Sequence, residues 1–356
     1  MSPTEVSVSA AHLVGRYGFP MEPLRRAVDV AATLTLDHDA YFGRTAGDGF
    51  AVMSHTGLLT MLDQRLRVER TIDLGGPVGD LSVVDDRWAW IVADRLWVGE
   101  PGAGGGSAPL PGESACRWAP TGQALWSAYG TDDKVQVELR TPDLEATRTI
   151  TVPDEFGGSM VRLRHHPHAD TVVLWIAAGQ DGQQSWLVRD DGEALTAEHL
   201  PADDCLPAMF APDTTWLLAA GDDDLKKISW PDRVEQAVLT WAEVDPEAAA
   251  DGSDTPGGCL MALPDGFVSW STGNGRLRTI DLATLSVVDE FTLAGHPIRT
   301  VADLYPTLAD DLSPCGDFEY AVPHPSGLVM SVHNKRTLVL SSLRDWSPAR
   351  TEAHER

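Results

Sequence analysis

The stretch SPCGDFEYAVPHPSGLVMSV, residues 313–332, decides the fold of this chain. It places a Pro-x-Gly turn before an apolar strand, and then a second turn before a second strand. Turns of related Pro-Asp-Gly or Asp-Gly type recur along the chain at steps of about 36 to 52 residues. They lie at residues 47–49, 85–86, 119–122, 166–170, 211–214, 263–266 and 313–316. Repeats of this length are typical of four-stranded blades, so the sequence predicts an all-β, seven-bladed β-propeller.

Two further stretches follow the same pattern, FAVMSHTGLL at residues 50–59 and FVSWSTGNGRL at residues 267–277. In each, a Phe, a polar turn, a Gly and a Leu recur in the same order. Apolar and polar residues alternate with a period of two, as they do on a half-buried strand. We expect each stretch to supply the first two strands of its blade.

The last blade has three strands after its turn, and an apolar stretch near residues 28–36 precedes the first turn. We therefore expect this N-terminal strand to close the last blade, because closure removes the exposed strand edges of the ring. The predicted organisation is an N-terminal extension over 1–25, a propeller over 26–343 and a polar C-terminal tail over 344–356.

Two segments rich in glycine, proline or acidic residues, 99–112 and 243–258, are expected to be excursions outside the blades. One domain accounts for the whole length, since a ring of seven similar units is a single quasi-symmetric domain.

The charge of the chain limits the partners that it can bind. The net charge of −26 disfavours nucleic acids and anionic membranes, because binding to phosphates needs a clustered excess of Lys and Arg. No apolar stretch is long enough to cross a membrane, and the first residues do not resemble a secretory signal. We expect a cytoplasmic protein, and the scarcity of Lys relative to Arg is typical of a bacterium with a GC-rich genome.

The turns and strand units together resemble the WD40 and YVTN-like propeller superfamily over residues 26–343. The Gly-His and Trp-Asp dipeptides of WD40 blades do not recur, and Gly295-His296 is a single occurrence. The resemblance implies a rigid, non-catalytic scaffold that presents loops on one face to another protein. It implies no catalytic residue and no cofactor, and we expect a monomer outside such a complex.

One pair of residues suggests an alternative function. His55 and His324 occupy corresponding turns if the stretches of blades one and seven are aligned, and ring closure makes those blades neighbours. Two imidazoles on one face near the channel can bind a divalent metal, and the acidic turns at residues 132–133 and 222–224 can add oxygen ligands. The alternative is therefore a propeller enzyme, a hydrolase, lyase or isomerase, with a small-molecule or metal site at the central channel.

A second histidine-rich stretch lies at residues 165–168, with the sequence HHPH. A His-x-His turn can hold copper or zinc. Because this stretch falls on a turn between strands, we interpret these residues as polar groups on a solvent-facing loop.

Overall fold

The computed structural model describes residues 25–131, 133–155, 157, 160–177, 182–200, 205–221, 224–246, 260–271, 276–294, 299–300, 314–315 and 318–348. The chain begins with β1 (Arg25–Val28) and β2 (Val30–Thr35). The first blade contains β3 (Phe42–Ala46), β4 (Gly49–Met53), β5 (Leu58–Leu62) and β6 (Val68–Asp73). The second contains β7 (Val78–Val84), β8 (Arg87–Val92), β9 (Arg95–Glu100) and β10 (Gly104–Pro109).

The next three blades repeat the arrangement. The third contains β11 (Ser114–Trp118), β12 (Leu125–Thr131), β13 (Lys134–Arg140) and β14 (Ala146–Pro153). The fourth contains β15 (Met160–His165), β16 (Thr171–Ala177), β17 (Gln183–Asp190) and β18 (Leu195–His199). The fifth contains β19 (Cys205–Phe210), β20 (Trp216–Gly221), β21 (Asp224–Ser229) and β22 (Glu235–Thr240), followed by the short helix α1 (Trp241–Val244).

The last two blades take up the N-terminal strands. The sixth contains β23 (Leu260–Ala262), a 3-10 turn (Pro264–Gly266), β24 (Phe267–Ser271), β25 (Leu277–Asp281) and β26 (Ser286–Leu293). A two-stranded sheet of β27 (Arg299–Thr300) and β28 (Pro314–Cys315) follows. The seventh contains β29 (Phe318–Pro323), β30 (Leu328–His333) and β31 (Thr337–Ser342), and a 3-10 turn (Leu343–Trp346) comes after it. The predicted seven-bladed, all-β fold is confirmed.

The N-terminal segment closes the ring, as predicted. Strand β2 pairs antiparallel with β31 and completes the seventh blade. Strand β1 adds a feature that the sequence did not predict, because it pairs parallel with β26 as a fifth strand of the sixth blade. Strands β1 and β2 are therefore the outer strands of two neighbouring blades and link these blades to each other.

The core lies between the blades. The described buried apolar side chains form seven clusters, one between each pair of neighbouring blades. Trp346 is fully buried in the cluster between the sixth and seventh blades, packs against Phe291 and donates its Nε1–H to Ser341 Oγ at 2.8 Å. Arg26 of β1 bonds to Asp289 of the sixth blade and to the carbonyl of Ser347. Both chain ends are thus tied to the same interface.

Three details of the sequence interpretation are corrected. Six of the predicted turns join the first and second strands of a blade, but the turn at 313–316 overlaps β28, and the seventh such turn is 324–327. The stretches beginning at residues 50 and 267 are second and third strands rather than first and second. Within 99–112, Gly104–Pro109 forms the outer strand of the second blade, because its backbone pairs with β9 even though it carries few side chains. Of the second predicted excursion, 243–258, only residues 243–246 belong to the described part of the chain.

No helix among the described residues is both long enough and apolar enough to cross a membrane.

Candidate functional site

A cavity of about 290 Å³ lies where the first strands of blades one to four approach one another. We call it the basic cavity, and its charged lining residues are Arg44, Asp80, Arg117, Arg162 and Arg164. Each of them lies on a first strand, and the strands β3, β7, β11 and β15 contact each other in sequence around the centre. Arg162 and Arg164 are two residues apart on β15, so they lie on the same side of that strand. An acidic chain therefore contains a local concentration of positive charge.

Arg117 is part of the framework of this cavity. Its side chain is only 7% exposed. Its Nε and Nη2 donate to the carbonyl of Leu163 at 3.2 and 3.0 Å, and its Nη1 donates to the carbonyl of Leu81 at 3.4 Å. The guanidinium of the third blade thus bridges the second and fourth blades. An arginine can make these bonds at once because its five N–H groups form a rigid planar fork.

Asp80 complements this framework from the second blade. Its carboxylate accepts from the backbone N–H of Leu81 at 2.8 Å and of Cys116 at 3.0 Å, and it lies 3.7 Å from Arg117 Nη2. The neighbouring Ser82 Oγ accepts from the N–H of Trp118 at 2.8 Å. These bonds fasten the first strand of blade two to that of blade three. Both oxygens of the Asp80 carboxylate therefore take part in the framework.

Arg44 is placed differently, because it is half-buried and makes one hydrogen bond among the described residues, from Nη1 to the carbonyl of Gly43 at 2.8 Å. Its guanidinium lies 5.7 Å from the ring centroid of Phe42. Burial lowers the pKa of Arg44 to about 10, and the nearby positive charge of Arg117 contributes in the same direction. The group remains charged at neutral pH, in an environment that disfavours its charge.

His165, the last residue of β15, belongs to the same electrostatic environment. Burial, together with the guanidinium charges of Arg117 and Arg44, lowers the pKa of His165 to about 4. Its side chain keeps an exposed surface, so solvent weakens the effect of burial. At neutral pH the imidazole is uncharged.

A second cavity, of about 330 Å³, lies at the turn of the fourth blade and includes His166, His168, Asp170, Arg189 and Trp230 in its lining. We call it the turn cavity. His166 is only 5% exposed, so the prediction of a solvent-facing turn is wrong for this residue. Its Nδ1 accepts from the His168 N–H at 3.1 Å. Burial lowers the pKa of His166 to about 4.

His324 of the seventh blade repeats this local structure. Its Nδ1 accepts from the N–H of Ser326 at 3.1 Å, and its ring lies 5.3 Å from that of Phe50 in the first blade. His166 likewise contacts Phe210 of the next blade, with ring centroids 4.6 Å apart. In both histidines the buried Nε2 has no hydrogen-bond partner among the described residues. Because two blades share the arrangement, we interpret it as a packing joint between blades.

The structure does not bring His55 and His324 together. His55 follows the second strand of its blade and contacts Tyr41, whereas His324 follows the first strand of its blade and contacts Phe50. Successive strands of a blade run in opposite directions, so these turns lie at opposite ends of their sheets. The alignment that paired them was displaced by one strand. Metal binding by either residue stays a prediction.

The described residues of the acidic turns do not form part of a metal-binding cluster either. Asp224 lies 3.5 Å from Lys226, and the Asp133 carbonyl accepts from the N–H of Asp154 at 2.9 Å. Residues 132, 222 and 223 lie outside the described part of the chain. Among the residues that the structure describes, no group of three His, Cys, Asp or Glu side chains has the arrangement needed to hold a metal ion.

Comparison with known proteins supports the fold. The crystal structure of the β-propeller domain of Cps50 (Swd1) from Myceliophteria thermophila superposes with a TM-score of 0.59 at 12% sequence identity. The match covers 88% of this chain and 98% of that domain. No protein-family model matches the sequence, and no curated protein matches it. The chain is a seven-bladed β-propeller, and at this level of identity the comparison shows the fold alone.

Proposed function

We propose that this propeller is a non-catalytic scaffold that binds another protein, and that the basic cavity receives part of that partner. Three neighbouring blades are fastened to each other by Arg117, Asp80 and Ser82, and the N-terminal strands close the ring. Such a frame can hold a binding surface with little loss of conformational freedom on binding. The WD40-like fold supports an interaction scaffold in general terms.

The observation that carries the proposal is the contrast between the basic cavity and the rest of the chain. Four arginines and one aspartate line the cavity, whereas the whole chain has a net charge of −26. Large polyanions are repelled by the overall charge, but a short acidic segment can reach the arginines. We therefore propose a protein partner with a locally acidic segment, in a bacterial cytoplasm, with the propeller monomeric outside the complex.

His165 favours one alternative. An imidazole whose pKa lies near 4 is a weak base at neutral pH, but it can still donate or accept a hydrogen bond, and the arginines can stabilise a developing negative charge. That arrangement is suited to a propeller enzyme acting on a small anionic substrate at the channel. A hydrolase, lyase or isomerase is therefore the second candidate function.

Affinity purification tests the proposal directly. The tagged full-length chain and its Arg44→Gln variant are purified from the native cell, with Arg189→Gln as a matched control in the turn cavity. We expect a partner in near-equal amount with the wild type and with Arg189→Gln, and much less with Arg44→Gln. Recovery of the same partner by all three chains would exclude the basic cavity as the contact. Recovery of every chain alone would favour the enzyme.

A further inference from the structure

We propose that the basic cavity binds a single oxyanion group, a carboxylate or a phosphate, with Arg44 as a contacting residue. Arg117 is a positioning residue that holds the neighbouring strands in place. This inference rests on the proposed function, since the oxyanion is taken to belong to the partner. It adds the chemical class of the group that the cavity recognises.

The first argument is the supply of hydrogen-bond donors. Arg44 uses one N–H, on Nη1, for the carbonyl of Gly43, and its Nε–H and Nη2–H groups have no acceptor among the described residues. Arg117, in contrast, directs its donors to the carbonyls of Leu81 and Leu163. A guanidinium with adjacent donors available fits the two oxygens of a carboxylate or phosphate. Arg162 shows the same pattern, with one N–H donated to the carbonyl of Val161 at 2.8 Å, so Arg44 and Arg162 are both better placed than Arg117 to contact a ligand.

The second argument is the charge balance. The lining residues in the described part of the chain include four arginines and Asp80, which leaves a formal charge of +3 (4 − 1 = 3). Asp80 compensates Arg44 only in part, because its charge also faces Arg117, and burial and the charge of Arg117 outweigh its effect on the pKa of Arg44. The first strands of a rigid ring hold these like charges near one another. A bound anion would relieve that repulsion, which gives the cavity a preference for negative charge.

The third argument is size. A cavity of about 290 Å³ lies at the lower end of the range that small-molecule sites occupy. It suits the end of a side chain or a phosphoryl group better than an extended ligand. Tyr41, which is half exposed and also lines the cavity, can add a hydroxyl donor at its open side.

The lowered pKa of Arg44, to about 10, is consistent with this geometry. An anion close to a guanidinium favours the charged form and would raise that pKa again.

The test uses two probes with the purified full-length chain in phosphate-free buffer of low ionic strength. One probe is inorganic phosphate and the other is a short glutamate-rich peptide. Binding is measured by calorimetry for the wild type, Arg44→Gln, Arg44→Lys and Arg189→Gln, after circular dichroism has shown that each variant is folded. The Arg44→Lys variant keeps the charge but loses the planar pair of donors.

We expect at least one probe to bind the wild type and Arg189→Gln equally. Arg44→Gln should weaken that binding by at least about tenfold, and Arg44→Lys by less, because a charge-assisted hydrogen bond is worth a factor of that order. Added salt should weaken the binding. Tighter binding of the peptide would assign the oxyanion to a protein carboxylate, and tighter binding of phosphate would assign it to a phosphoryl group.

Failure of both probes to bind the wild type, or equal binding by Arg44→Gln, would overturn the inference. The outcome is separate from that of the proposed function. Anion binding without capture of a partner would leave the oxyanion site in place and remove the scaffold. Capture of a partner without anion binding would remove the oxyanion site and leave the scaffold function in place.

Discussion

Replacing Arg117 by Leu should destabilise the whole propeller. The guanidinium is 7% exposed, lies 3.7 Å from the 5% exposed Asp80, and donates to the carbonyls of Leu81 and Leu163. Arg117→Leu would remove the buried carboxylate's ion-pair partner at 3.7 Å and leave the carbonyls of Leu81 and Leu163 without this donor. Removal of one partner from a buried ion pair costs about 3–5 kcal/mol. We expect a loss of about 4 kcal/mol, a large part of the roughly 5–15 kcal/mol by which native proteins are stable.

The contrast with Arg44 makes this prediction specific. Arg44 lies in the same cavity, but its pKa is lowered by burial and by neighbouring positive charge. Removing that charge by Arg44→Gln should therefore leave the free energy of unfolding within about 1 kcal/mol of the wild type, or increase it. The two variants should separate a framework arginine from a contacting arginine.

Urea denaturation, followed by tryptophan fluorescence and by circular dichroism, measures both effects, with the slope checked for a change in the unfolding transition. Asp80→Asn supplies the second arm of a double-mutant cycle. We expect Asp80→Asn to cost less in the Arg117→Leu background than alone, with a coupling of at least about 1 kcal/mol. A loss below about 1 kcal/mol for Arg117→Leu, or additive effects in the cycle, would refute the framework role.

The remaining predictions concern the frame and its response to pH. Trp346→Ala should lower the free energy of unfolding by about 3–5 kcal/mol, because this indole ring is fully buried. The matched change Trp175→Ala should cost less, because Trp175 also donates its N–H but is only half-buried. Equal losses for the two variants would contradict this prediction. Removing residues 1–36 should lower the unfolding temperature, and an unchanged temperature would contradict closure by β1 and β2. The pKa of His166 falls from its ordinary value of 6.5 to about 4 on folding, so the folded state holds this imidazole in its neutral form. The resulting contribution to the free energy of unfolding, at most about 3 kcal/mol, is complete above pH 6.5 and is lost as the pH falls towards 4. The neighbouring His168 and Arg189 also lower the pKa of His166, whereas the charge of Asp170 raises it. Stability measured against pH should therefore be less steep in His166→Gln than in the exposed control His55→Gln, and identical curves would contradict it.

The fold was accessible from the sequence because turn chemistry is local. Pro, Asp and Gly favour the tight turns that join antiparallel strands, so six of the first hairpins were placed correctly. The same chemistry explains the error at 313–316, because a Pro-x-Gly turn outside a blade has the same composition as one within it. Strand β10 was missed for a related reason, since its pairing depends on β9 and its own residues have low strand propensity.

The basic cavity could not be predicted from the net charge of the chain, because a negative total does not reveal a local cluster of positive side chains. A positional signal was present, because Arg117 and Arg164 each precede the proline of their turn by three residues. Aligning the blades on those prolines would have placed both arginines on first strands, at the channel. The hydrogen bonds that these arginines make, and the distances between them, could not be predicted, because they depend on how closely neighbouring blades pack.

The displacement of one strand in the alignment also explains the pairing of His55 with His324. A one-strand error moves a residue to the other end of the sheet, because successive strands run in opposite directions. The period of apolar residues is the same in every strand of a blade, so it could not reveal the displacement.

The proposed scaffold function requires that a partner contact the ring at the basic cavity. A photoreactive amino acid placed at Tyr41, beside the cavity, is compared with one placed at Val234, which is similarly exposed at 59% against 50% but precedes the outer strand of the fifth blade. After irradiation in the native cell, we expect a cross-linked partner from position 41 and none from position 234. A partner cross-linked from position 234 and not from position 41 would contradict the account.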